Sequence, residues 1–286
     1  MKVKFWGARG SIPSPGPNYT KFGGNTTCIE VLTSEGRIII DAGTGARPLG
    51  DEILSEGDSS SRNINFLITH THWDHIQGFP FFQPIFESAS DPKKARKISI
   101  YGRASTGSDL RQAFANQMNN TYFPVLMRNI AANLKFHDIE PGNSFNIGKV
   151  QIKTALLNHP GGVLGYRIED NGKVIAIATD YEHPEDGQKD ENLEYIGRDS
   201  DILIYDAQYT CNEYNGSPET GESSKKGFGH STPSKGVEAA KELNTKMLVL
   251  THHSPSHDDK MLAAMETNIK KRFNSCFAKE GLVIEI

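Results

Sequence analysis

The chain has 286 residues and a formal net charge of −4. That length can bury a large core, and the charge argues against a long nucleic-acid footprint. No stretch approaches the roughly 20 apolar residues needed to span a bilayer, and the chain opens as a strand, not as a signal-type apolar segment. Three cysteines (Cys28, Cys211, Cys276) without Cys-x-x-Cys spacing argue against a disulfide framework. The expected setting is therefore reducing and cytoplasmic, away from membranes.

The elements follow in order. A strand over 2–6 leads into a Gly/Pro-rich loop over 7–24 that carries Arg9, and strands are expected around 27–32 and 37–41. Asp41 opens a tight turn, Asp41-Ala42-Gly43-Thr44-Gly45, with a helix expected behind it; taken alone it reads as a turn-capping aspartate. The apolar run Ile64-Asn65-Phe66-Leu67-Ile68 is followed at once by Thr69-His70-Thr71-His72-Trp73-Asp74-His75. Four metal-binding side chains thus fall within six residues, a spacing that surface polarity does not require. A strand ending in a tight loop can point His70 and His72 to one side and Asp74 and His75 to an adjacent position. That arrangement suits two ions in one pocket, and imidazole with carboxylate suits zinc and related divalent ions.

Beyond this string, 77–86 is aromatic and proline-rich, 87–97 is polar, and 98–101 reads as a strand. Helical character runs over 108–118. The stretch 119–133 has no clear period, and most of Tyr122, Phe123, Val125, Leu126 and Met127 are expected to fill core rather than wall a pocket. Strands are expected over 144–157, 165–169, 173–178 and 202–205, with Asn171-Gly172 as a hairpin turn. Thr232-Pro233 starts a helix that buries Val237, Ala240 and Leu243. A last helix over 258–273 carries Leu262, Met265, Ile269 and Phe273 at helical spacing, before an edge strand over 282–286. Pattern alone supports α/β or α+β.

The His-x-His-x-Asp-His string resembles the signature of the metallo-β-lactamase superfamily. Three further candidates stand in that family's order, each closing an apolar run that reads as a buried strand: His159, Asp180 and His252. The resemblance implies an α+β fold, a four-layer αββα sandwich, as one domain over 1–286. It also implies two divalent metal ions, zinc first, with manganese or iron as alternatives. His70, His72 and His159 would hold one ion and Asp74, His75 and His252 the other, with Asp180 bridging them. Asp41 becomes a buried carboxylate that orients a ligand. His253 and His257 compete with His252, and the Thr-His at the strand end favours His252.

Two ions roughly 3.5–4 Å apart can hold a bridging hydroxide as nucleophile, which suits phosphodiesters, lactams, lactones or thioesters alike. The choice comes from Gly229-His230-Ser231-Thr232-Pro233, which resembles the His-Ser-Thr motif of the ribonuclease Z-like phosphodiesterase branch. There the histidine meets the phosphate or leaving oxygen and an upstream acid orients it, giving His230 and Asp206 those roles beside catalytic Asp74. Asp206 stands where the branch has glutamate, and Tyr205 replaces a histidine. The alternative for His230 is an ordinary loop histidine near a helix start. The branch's RNA-gripping arm follows its Gly-Tyr-Arg strand, yet here Gly165-Tyr166-Arg167 runs directly to Asn171-Gly172 and Asp180. The segment 181–200 is acidic (Glu182, Glu185, Asp186, Asp190, Glu191, Glu194) and ill suited to RNA. Phe5-Trp6-Gly7-Ala8-Arg9-Gly10-Ser11 and Gly23-Gly24-Asn25-Thr26-Thr27 resemble cyclic-nucleotide-cleaving relatives, the dimeric anti-Pycsar phosphodiesterases. The resemblance therefore implies a homodimeric phosphodiesterase for a small, cyclic nucleotide, with no long nucleic acid as partner. Arg9 would approach the phosphate as a substrate-binding residue, unless it is merely an exposed loop arginine. The other readings are an RNA-processing nuclease or lactonase on the same scaffold, and a non-catalytic nucleotide or metal sensor.

Overall fold

The structure is a computed structural model that describes residues 1–56, 63–87, 95–103, 109–185, 188–219 and 221–286. Ser108, the expected helix start, Asp186, and most of the polar stretch 87–97 lie outside these residues.

Two seven-stranded sheets face each other. In chain order, the first contains β1 (Lys2–Gly7), β2 (Cys28–Thr33), β3 (Gly36–Ile40), β4 (Asn63–Leu67), β5 (Lys97–Gly102) and β6 (Asn133–Asp138). The second contains β7 (Ser144–Ile147), β8 (Val150–Leu157), β9 (Val163–Asp170), β10 (Lys173–Ala178), β11 (Ile202–Asp206), β12 (Met247–Thr251) and β13 (Ser275–Phe277). The last strand, β14 (Val283–Glu285), returns to pair antiparallel with β1 as an edge strand of the first sheet. Helices α1 (Ala46–Ser55) and α3 (Leu110–Gln117) cover the outer face of the first sheet. Helices α4 (Glu191–Gly197), α6 (Pro233–Glu242) and α7 (Asp259–Lys270) cover the second, and the short α2 (Trp73–Ile76) and α5 (Cys211–Asn215) sit in loops.

Strand patterning explains the four layers. Side chains alternate between faces, so Ile38 and Ile40 enter the core between the sheets while Ile39 packs outward under α1. Ile175 and Ile177 likewise face inward, and Ala176 and Ala178 face α4 and α6. Both faces are covered, which is why these strands read as unbroken apolar runs. Among the described residues no helix is long and apolar enough to cross a membrane.

The structure departs from expectation in places. The stretch 144–157 is a hairpin of β7 and β8, turned at Gly148 with φ +58° and pairing Ile147 with Val150. Tyr122 is 71% exposed, and Phe123, Val125, Leu126 and Met127 are only half-buried, so this segment does not fill the core. It lies over the outer layer, where Phe123 and Met127 pack against the helix-covered side. The strands β6 and β13 and the helix α4 were not apparent in the sequence pattern. The turn between β9 and β10 is the expected one: Asn171 (φ +51°) and Gly172 (φ +74°) close it in two residues.

Candidate metal centre

The site forms where strands of both sheets end on one edge. Strands β10, β11 and β12 are parallel neighbours, so their C-terminal ends bring Asp180, Asp206 and His252 side by side. The loop after β4 supplies His70, His72, Asp74 and His75, and the end of β8 supplies His159. Asp41, Asp180 and His252 adopt left-handed backbone, with φ of +61°, +54° and +60°. Non-glycine residues rarely hold that conformation, and it clusters where a rigid scaffold over-determines the backbone.

The candidate ligands form two groups whose donor atoms lie within 4.8 Å of one another: His70, His72 and His159 in one, Asp74, His75, Asp180 and His252 in the other. Asp180 faces both. Its Oδ1 is 3.1 Å from His75 Nε2 and 3.1 Å from His252 Nε2, while Oδ2 is 3.7 Å from His70 Nε2 and 3.9 Å from His159 Nε2. In the second group Asp74 Oδ2 is 3.2 Å from His252 Nε2 and 3.4 Å from His75 Nε2.

Hydrogen bonds behind the cluster fix which nitrogen faces inward. His75 Nδ1 lies 2.7 Å from Asp41 Oδ2, an acceptor, so it carries the proton and Nε2 points into the cluster. His159 Nδ1 likewise donates to Gly229 O at 2.8 Å. The inward nitrogens then confront each other, His75 Nε2 with His252 Nε2 at 3.3 Å and His159 Nε2 with His72 Nδ1 at 3.2 Å. His70 Nε2 is buried with no hydrogen-bond partner. Converging lone pairs of this kind, an orphaned nitrogen among them, fit a cation at each group. Electrostatics agree. Burial lowers the pKa of His70, His72 and His159, which keeps them in the neutral form that ligates. Burial also disfavours charge on His75, but Asp180, Asp74 and Asp41 outweigh it and raise its pKa well above the usual value. The field that would hold a proton there is the field a dication would neutralise.

His230 stands at the edge of this cluster, its ring 4.9 Å from His252 and 5.2 Å from His159. Its Nδ1 is 2.9 Å from Asp206 Oδ2, and Asp206 Oδ1 accepts from the Ser231 N–H at 2.9 Å. Burial pulls the His230 pKa down, but the Asp206 carboxylate more than offsets this and raises it to about 8.

Comparison with known proteins fits this geometry. The family described as "Beta-lactamase superfamily domain" matches residues 36–253, a span that contains every residue of both groups together with Asp206 and His230. The chain belongs to the metallo-β-lactamase superfamily. It is similar to the ribonuclease Z of Thermoplasma acidophilum, 22% identical over an alignment of 324 positions that covers 99% of this chain and 95% of that protein. In fold it is similar to the metallo-β-lactamase fold protein YhfI from Bacillus subtilis (TM-score 0.68, 18% identity, 100% and 99% of the two chains). It is also similar to a diphosphatase of the PhnP family (TM-score 0.67, 19% identity, 100% and 97%). The chain is thus a superfamily hydrolase of α+β fold whose clustered histidines and aspartates could bind metal ions.

One expected site residue is corrected. Arg9 does not face the site: it is fully buried, donating from Nε to Gly23 O at 2.8 Å and from Nη1 to Ser254 O at 3.1 Å and His257 O at 2.6 Å. It clamps the loop that follows His252 from a fully buried position. His253 points away toward Ala278 O, where burial lowers its pKa to about 3, and His257 pairs with Glu213. Neither competes with His252. The sequence reading missed Glu182, whose buried carboxylate accepts from Tyr214 Oη and from the Gly227 and Gly229 N–H groups.

Proposed function

We propose that the protein is a dinuclear metal-dependent phosphodiesterase acting on a small, cyclic nucleotide. His70, His72 and His159 would hold one ion and Asp74, His75 and His252 the other, with Asp180 between them; zinc suits this donor set best. Bound there, the ions supply Lewis acidity and a water acidic enough to attack phosphorus near neutral pH. The observation that carries the reading is the geometry of His230, held through Nδ1 by Asp206 beside the two groups of candidate ligands. With Nδ1 committed to Asp206, His230 has Nε2 left to give its proton to the oxygen released when the P–O ester bond breaks. Asp206 stabilises the imidazolium and, once the Nε2 proton has left, keeps the remaining proton on Nδ1. Asp41 and Gly229 O keep the Nε2 atoms of His75 and His159 aimed inward, and the Ser11 N–H fixes Asp74 Oδ2 at 2.7 Å.

Two features support a small substrate. The two-residue turn at Asn171-Gly172 leaves no arm after β9, and the rim beside His159 carries Glu185, Asp190 and Glu191, which repel a polyanionic chain. A homodimer belongs to the same reading through the dimeric cyclic-nucleotide-cleaving proteins that the opening segments resemble. The second reading, an RNA-processing nuclease, is favoured by the names of the relatives, ribonucleases Z.

Metal-reconstituted protein assayed on a panel of cyclic mononucleotides, bis(p-nitrophenyl) phosphate, a lactone and pre-tRNA decides between them. Turnover of cyclic nucleotides with no comparable processing of pre-tRNA is expected. Efficient tRNA 3′ cleavage without cyclic-nucleotide turnover would overturn the proposal, and lactone turnover alone would move the protein to a different class.

A further inference from the structure

We infer that Glu182 is a positioning residue that couples the candidate ligand His159 to the proton donor His230; the second half of this statement rests on the function proposed above. Glu182 lies two residues beyond Asp180, and its side chain is almost entirely buried. Its backbone is locked to the neighbour of His159: the Glu182 N–H donates to Asn158 O at 2.9 Å, and Asn158 Nδ2 donates back to Glu182 O at 3.1 Å. Its carboxylate crosses to the segment before His230. Oε1 accepts from the Gly227 N–H at 2.7 Å and from Tyr214 Oη at 3.0 Å, and Oε2 accepts from the Gly229 N–H at 2.9 Å.

Gly227 and Gly229 have φ of +83° and +87°, a backbone that points alternate N–H groups at one anion. A side chain at Gly229 would run into His159, since a Cβ there would lie 2.2 Å from His159 Nδ1. Gly229 therefore has a carboxylate on the N–H of the peptide that precedes its Cα, the His159 Nδ1 proton on the C=O of the peptide that follows it, and His230 as the next residue. One buried charge sets the orientation of both histidines.

The chemistry of glutamine makes this testable. An amide keeps the size of the carboxylate but replaces one acceptor oxygen with an NH2 donor, which would face a backbone N–H. One glycine amide then loses its acceptor, and a buried unsatisfied donor drives the peptide to rotate. Because Gly229 O, across the same Cα, selects the His159 tautomer, a shift of Gly229 also weakens presentation of Nε2 inward.

The experiment uses Glu182→Gln, Glu182→Asp and Tyr214→Phe. It reads zinc affinity by competition with a chelating indicator, the His159 tautomer in metal-free protein by nitrogen-detected NMR, kcat and KM on a cyclic nucleotide, and Tm. Glu182→Gln should weaken zinc binding and lower kcat, each by about 10–100-fold, the range found when groups behind metal ligands are changed. The His159 Nδ1–H tautomer should be lost from it, and Glu182→Asp should recover part of both effects. If Glu182→Gln does not fold, Tyr214→Phe, which removes one of three donors, should still shift kcat and zinc affinity in the same direction. Parental zinc affinity, tautomer and kcat in folded Glu182→Gln, or in Tyr214→Phe when only that variant folds, would overturn the inference. If the parent turns over no cyclic nucleotide, the function proposal fails by itself, and zinc affinity and tautomer still decide the role of Glu182 toward His159.

Discussion

The two ligand groups are built on opposite principles. His70, His72 and His159 are imidazoles that desolvation favours in the neutral form, and of the three His72 alone keeps much of its surface in solvent. Asp74, His75, Asp180 and His252 are all buried and include two carboxylates, with a third, Asp41, bonded behind His75. Fixed negative charge in a low-dielectric setting attracts a dication far more strongly than neutral donors at a solvent-facing position. On the proposed reading the acidic group would be the anchor, and the three-histidine group the position where an ion exchanges.

The largest effect should come from breaking the anchor. Asp74→Ala should reduce the metal content from about two ions per chain to about one and remove nearly all hydrolysis, because a charged ligand is lost. Elemental analysis beside a rate assay checks this. Parental activity in a metal-free preparation would end the whole account. Stepwise chelation sharpens the same contrast, since the first ion to leave should be the one on the His72 side; loss of both in a single step would show that the groups do not differ.

His230→Ala tests the boundary between binding and chemistry. Metal content should stay parental while kcat falls about 10²–10⁴-fold, the usual worth of a general acid. The loss should shrink on a p-nitrophenyl ester, whose leaving group needs little protonation. Asp206→Asn should give a milder form of the same pattern. Cleavage of a cyclic nucleotide by His230→Ala at the parental rate would remove the main support for the phosphodiesterase reading.

Behind the anchor, Asp41→Asn should cost about 10–100-fold in metal affinity or activity, because it frees His75 to turn. Unchanged affinity would make Asp41 a turn residue only. The smallest effect concerns the metal-free fold. The folded-state pKa of His230 is raised, to about 8 from 6.5, so its pairing with Asp206 stabilises the fold fully below pH 6.5 and loses that contribution as pH rises through 8. The Tm gap between metal-free parent and His230→Gln should narrow from pH 6 to pH 9, and a constant gap would contradict the pairing.

The contrast also governs what was legible in the sequence. His70, His72, Asp74 and His75 announce themselves because one loop holds them all. His159, Asp180 and His252 were found only through their order, each at the end of an apolar run, since nothing local distinguishes them. The left-handed backbone at Asp41, Asp180 and His252 leaves no mark in residue type. Glu182 was invisible as anything but an acid, for two of its partners are glycine N–H groups 45 and 47 residues away. Arg9 was misread because a glycine-flanked loop looks exposed, yet this one is folded under the segment after β12. In the fold, strands with alternating or continuous apolar runs were readable. The β7–β8 turn was hidden by an alternation that runs through it, and the aromatics over 122–127 were apolar enough to suggest core while lying over the outer layer.

The turn at Asn171-Gly172 has a wider consequence. Both residues are exposed, and a Cβ on Gly172 would meet nothing within 4 Å. From Lys173 the strand runs about 3.3 Å per residue toward Asp180, so the tip lies at the far end of the sandwich from the cluster. Hairpin tips of this kind accept inserted segments without disturbing the elements they join. A lineage on this scaffold can therefore acquire or discard a grip on a large molecule at one end while the cutting edge at the other stays untouched, and selection on what is held becomes independent of selection on what is broken.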